Sequence, residues 1–111
     1  MSSIVEVTRL AREIFGLDCT VKYEEKIVRD DPSTFTAMAV RAVVLHHPPG
    51  NPHKALDRVE GGYACFESEE PLLAGQGRAV REQLEPRALT LLHDALVEHR
   101  AAAAAPSAPA P

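Results

Sequence analysis

"TFTAMAVRAVVL", residues 34–45, is almost continuously apolar and rich in β-branched side chains. Such a run is expected of a central strand covered on both faces, because a strand with one wet face alternates polar and apolar residues. Its neighbours in the chain supply the partners. Asp30-Asp31-Pro32-Ser33, just upstream, has turn chemistry: carboxylates that bond their own backbone and a proline that presets φ. Before the turn, Cys19, Val21, Tyr23 and Ile27 alternate with Lys22, Glu24 and Lys26. That period of two predicts a strand with one wet face, paired to the central run as a hairpin. Downstream, "GYACFES" (62–68) reads as a third, shorter strand.

Helical spacing brackets these strands. Ser3-Ile4-Val5-Glu6 has the form of a capping box, and Ile4, Val7, Ala11 and Ile14 then recur on one face, widened by Leu10 and Phe15 and stopped by Gly16. From Gly77 to Arg100 the helical period returns through Val80, Leu84, Ala88, Leu92, Ala95 and Leu96. Pro86 interrupts it, so the helix either kinks there or gives way to a second helix. After "HHPPGNPH" breaks regular structure, Asn51 as cap, Pro52 in the first turn and Gly61 as terminator predict a short helix through Lys54, Leu56 and Val59. The fold class is α+β: a three-stranded antiparallel sheet packed against two helices in the order α-β-β-β-α, with that short helix between strands 2 and 3. Residues 1–100 form the single domain, and residues 101–111, Ala/Pro-rich, read as a flexible tail.

With 111 residues, 45% hydrophobic and 25% charged, the chain suits one small globular domain. A net charge of −4 argues against broad electrostatic attraction to nucleic acid, though it leaves room for a local basic patch. Cys19 and Cys65 are the only cysteines, each in a strand-like run, and both are read as reduced. There is no apolar leader and no run long enough to span a membrane, so a cytoplasmic protein is expected. His46, His47 and His53 beside Cys65 lack a Cys-x-x-Cys pair; they read as a solvated loop, with no metal or cofactor implied. A cysteine–histidine pair built on Cys65 would be inert in a strand, so no catalytic residue is assigned. Glu67, Glu69 and Glu70 form a solvated acidic run suited to a basic partner.

The residue pattern nearest to a binding motif is "LAGQGRAVREQL" (73–84): Gly75 and Gly77, then Arg78 and Arg81, entering a helix. An ordinary strand-to-helix turn with surface arginines accounts for it better than a phosphate site does, since a lone Gly-x-Gly is weakly specific. "YEEKIVRDDPSTFTAMAV" resembles the first hairpin of double-stranded RNA-binding domains, and "LAGQGRAVREQL" resembles their third-strand exit into the second helix. The resemblance implies a nucleic-acid partner, duplex RNA or DNA. Phosphates would be gripped by Gly75, Gly77, Arg78 and Arg81 at the helix start, and Arg9 and Arg12 on the first helix would contact the adjacent groove. Two arginines stand where that family has a lysine cluster, and Asp30 and Asp31 occupy the hairpin turn. "LAREIFGLDCTVKYE" is also similar to the opening of strand-annealing recombination proteins. The alternative is a protein partner or homo-oligomer on the same fold, without nucleic acid, joined through a sheet edge or the second helix.

The sequence places Phe35, Val40, Val43 and Cys65 in the core beneath Ile14 and Leu92. Removing the Phe35 ring with Phe35→Ala is expected to cost about 3–5 kcal/mol, measured as a shift of the urea unfolding midpoint at constant slope.

Overall fold

The computed structural model describes residues 3–104. Helix α1 (Ile4–Phe15) leads into strand β1 (Cys19–Val28), β2 (Thr34–His46), β3 (Asp57–Glu60) and β4 (Ala64–Leu73). A 3-10 turn (Ala74–Gln76) then opens into helix α2 (Gly77–Ala104). The architecture is α+β, an antiparallel sheet with both helices on one face. No helix among the described residues is long and apolar enough to cross a membrane.

Helix α1 starts where Ser3 accepts a hydrogen bond from the Glu6 amide, and it stops at Gly16, whose φ of 81° few other residues adopt. The hairpin pairs β1 with the whole of β2, Val28 opposite Ala37 and Cys19 opposite His46. Its turn is held by one carboxylate: Asp31 Oδ1 accepts from the Ser33 amide at 2.7 Å and the Ser33 hydroxyl at 2.6 Å, and Oδ2 accepts from the Thr34 hydroxyl at 3.0 Å.

The predicted short helix between strands 2 and 3 is absent. Residues 48–53 turn around Gly50, and Asp57–Glu60 is extended, antiparallel to the end of β2 with Val59 opposite Val44. The cap and terminator were misread because the residues between them pair with β2, and a ladder along a buried strand outweighs a weak local helix preference. Both β3 and β4 lie along β2, pairing with its C-terminal and N-terminal halves in turn. The predicted third strand is β4, which runs on through the acidic residues Glu67, Glu69 and Glu70, and β3 is a fourth strand that the expected three-stranded sheet lacked; residues 61–63 separate the two.

The reason for the break is Gly61. A Cβ built on it would lie 2.8 Å from both the N and Cα of Leu92 and 3.1 Å from the Ala42 carbonyl, so the α2 backbone rests directly on the sheet at this point. Gly61 donates its amide to that same Ala42 carbonyl at 2.9 Å. Around this contact Val80, Leu84, Ala88, Leu92 and Leu96 of α2 and Val7, Leu10 and Ala11 of α1 meet Phe35, Met38, Val40, Ala42 and Val44 of β2. Helix α2 passes through Pro86 as one element of 28 residues, and its apolar stripe continues on both sides of the proline. The alanines 101–104 extend it; the remainder of the expected tail lies outside the described residues.

Two burial expectations change. Phe35, Val40, Val43 and Leu92 are buried, but Cys65 is exposed, because its register partner Ala39 lies on the face away from the helices. That outer face has no helix over it, so the apolar run of β2 is covered on its second side by charged side chains. Arg41 binds Glu24 and Glu60, each at 2.8 Å, and Arg58 binds the same two carboxylates at 2.7 and 2.6 Å, closing a ring across β1, β2 and β3. Val43, fully buried, sits between Lys22 and Glu60 in this layer, where aliphatic stems shield it. Tyr63 lies beneath Lys26 and Arg41, 5.0 and 4.8 Å from the ring centre.

Two tests follow from these contacts. Gly61→Ala forces backbone apart and is expected to cost roughly 1–3 kcal/mol in thermal or urea unfolding, whereas Gly62→Ala, whose new Cβ would meet only the Leu91 side chain at 3.7 Å, is expected to be nearly neutral. Hydrogen bonding from Arg58 holds the Glu24 carboxyl below its usual range, and bonds from Ser33 and Thr34 do the same for Asp31. Both groups bind their proton more weakly when folded. Their contribution is therefore fully present above the unfolded carboxylate pKa of about 4 and is lost as pH falls through the folded values. Melting temperature should decline below about pH 4, and Glu24→Gln should lower it at pH 7 while making the acid decline shallower.

Candidate functional site

The first turn of α2 sits against the hairpin end of the sheet. The Ala74 amide donates to the Ser33 carbonyl at 2.8 Å, and the Leu73 amide donates to Gln76 Oε1 at 3.0 Å, so the β4 exit is tied to both the hairpin turn and the helix start. Between them lies a recess of about 280 Å³ floored by Ile27, Phe35 and Met38 and rimmed by Arg29, Arg78, Arg81 and Glu25, with Ala74 and Gly77 at the helix start.

The guanidinium groups differ in how they are held. Arg81 bonds Glu25 of β1 at 3.0 Å and lies 3.8 Å from Glu85 one turn along its own helix. Arg78 bonds Glu82 at 3.2 Å, but its side chain is 90% exposed. Arg29 has no ion-pair partner among the described residues. Nearby, the Tyr23 hydroxyl is pushed up in pKa by burial and then by the Glu85 carboxylate, with Arg81 opposing, so it stays protonated.

Gly75, Gly77, Arg78 and Arg81 are thus brought to one place, and the last three line the recess. The glycines do not form a left-handed loop: positive φ occurs only at Gly16 and Gly50 among the described residues, and Gly77 is already helical at φ −58°. A Cβ on Gly75 would meet nothing within 4 Å. Arg9 and Arg12 stand apart, lining a different recess on α1 with Ile4, Val5 and Thr8. Sequence reasoning missed Arg29 and Glu25. Arg29 follows the last β1 residue and carries no motif; only the packing of the hairpin end against α2 brings it beside Arg78.

A third recess, about 220 Å³, is lined by Asp18, Cys19, Thr20, His47 and the 48–52 turn. Here the expectation of a solvated histidine loop is corrected. His47 is buried, with Nδ1 2.9 Å from the Lys54 carbonyl and Nε2 3.0 Å from the Thr20 hydroxyl, and it pins the turn to β1. His46 stacks on Phe15 at 5.2 Å, and His99 of α2 meets the same ring at 5.4 Å. Adjacent histidines at a strand end point to opposite sides, which is how one packs under α1 while the other clasps the turn. Both His47 nitrogens are engaged, and the Cys19 thiol, raised in pKa chiefly by burial, bonds the Gly16 carbonyl at 3.5 Å. The pair is arranged for packing; it lacks the free base and ionised thiol that nucleophilic chemistry needs.

The recess at the start of α2 is therefore a shallow depression with an apolar floor, rimmed by three arginines and a glutamate. Compared with protein-family models, curated proteins and solved structures, the chain matches none, and the reading of this recess rests on its own residues.

Proposed function

We propose that the chain is a non-enzymatic nucleic-acid-binding domain that touches a duplex backbone weakly through Arg29, Arg78 and Arg81. One observation carries the reading: three guanidinium groups, one from the turn after β1 and two from α2, rim a single recess at a helix start. Arg29, without a carboxylate partner, makes the first contact with a phosphate. Arg78 exchanges an exposed pair with Glu82 for the same phosphate, a swap between two solvated partners that costs little. Arg81 keeps its bond to Glu25 and orients the rim. Gly75, bare at the helix start, leaves room for the backbone to approach, and helix-start amides favour an anion. Arg9 and Arg12 offer a further contact on α1. The carboxylates of Glu25, Glu82 and Glu85 around the arginines, with a net charge of −4, limit the footprint and make binding restricted rather than broad.

Fluorescence anisotropy with labelled duplex RNA, duplex DNA and single strands tests this directly. Binding at low salt should weaken as salt rises, with a slope of log affinity against log salt of about −2 to −3, reflecting two or three phosphate contacts. Arg29→Ala should reduce that slope by about one. Arg78→Glu with Arg81→Glu should abolish binding while the far-ultraviolet circular dichroism stays helical. Absence of binding by the parent at low salt, or equal binding by the double variant, would overturn the proposal and leave the glycines as a turn.

A further inference from the structure

The sheet has two free edges, and they are built differently. Among the described residues β4 pairs only with β2, and its edge is blunted by Pro71, by Glu67, Glu69 and Glu70, and by an irregularity in its pairing opposite Phe35–Ala37. These are the devices by which natural sheets discourage a further strand. Strand β1 carries charged residues too, but it is ten residues long, regular in register from end to end, and free of proline. Its inward row, including Val21 and Tyr23, is only half-buried although it packs on the core.

We infer that the β1 edge pairs with the β1 edge of a second copy of this chain, antiparallel about a two-fold axis through Tyr23. The charge pattern selects the partner and the register. Lys22, Glu24 and Lys26 share the outer face, so an antiparallel copy with both helix layers on the same side must align like-facing residues. Centred on Tyr23, Lys22 of each copy faces Glu24 of the other, and Lys26 faces Thr20. On the inner face Tyr23 meets Tyr23 and Cys19 meets Ile27, both favourable cross-strand pairs, while Val21 meets Glu25, whose carboxylate stays turned to Arg81. Centred on Glu24, Glu24 faces Glu24 and Lys22 faces Lys26. Centred on Glu25, Glu25 faces itself. Only the Tyr23 register satisfies the outer charges without setting carboxylates opposite one another, and the same patch on both copies closes the assembly as a dimer. Neither Lys22 nor Lys26 has an ion-pair partner among the described residues, and Glu25 and Ile27, which border the arginine recess, lie within the paired stretch.

Sedimentation equilibrium over roughly 1–100 μM, spanning ordinary weak dimer affinities, should show a monomer–dimer equilibrium for the full chain. Lys22→Glu replaces two attractions with two repulsions and should weaken the dimer at least tenfold, with the circular dichroism spectrum unchanged. Lys26→Glu makes the same charge change on the same face, opposite Thr20, and should leave the dimer intact. If Lys22→Glu unfolds the subunit, Lys22→Gln carries the test, with a dimer about two- to thirtyfold weaker. A monomer throughout the range, a dimer indifferent to Lys22, or one as sensitive to Lys26 as to Lys22 would overturn the inference.

Discussion

The closeness of α2 to the sheet at Gly61 is the constraint on which the rest of the structure depends. With the Leu92 backbone where a Cβ would otherwise stand, the helix is seated at a fixed height over Ala42, and the buried leucines and valines on either side fill the layer that this height defines. The same contact separates β3 from β4. The break redirects the chain so that Tyr63 lies outside, under Lys26 and Arg41, while Ala64 returns to the core.

The two faces of the sheet are closed by different physics. Inside, helices bury apolar side chains, and the stabilisation follows area removed from water. Outside, two arginines and two glutamates alternate in a ring, and their stems roof a valine. Exposed ion pairs contribute little individually, so the value of the ring lies in covering apolar surface with a soluble layer and in fixing the lateral placement of β1, β2 and β3. The outer face is consequently occupied by its own charges. That leaves the helix start and the sheet edges as the places where a partner finds unspent groups.

The same pairing logic governs the arginine recess. Carboxylates one helical turn along and on the neighbouring strand hold Arg78 and Arg81, which orients the guanidinium groups and also tempers their field. Under the proposed function an anion there would compete with these internal partners, and attraction would act only at short range, where Arg29 has no ion-pair partner among the described residues.

The order of elements was legible from the sequence because it rests on local periodicity. Spacing of three and four residues marked α1 and the α2 stripe, alternation marked β1, the unbroken apolar run marked β2, and Asp31-Pro32 marked the hairpin turn. Clustering of Gly75, Gly77, Arg78 and Arg81 was equally visible, being contiguous in the chain. Tertiary structure alone decided what depends on neighbours distant in sequence. Residues 57–60 became a strand because β2 offered a ladder, Cys65 turned outward because register set its parity, and His47 was buried because Thr20 and Lys54 supplied partners. Arg29 joined the recess for the same reason. Gly61 shows the difference most clearly: the sequence marks it as a residue without a side chain, and only the helix lying against it says that the space was needed, because a contact between backbones far apart in the chain leaves no periodic trace.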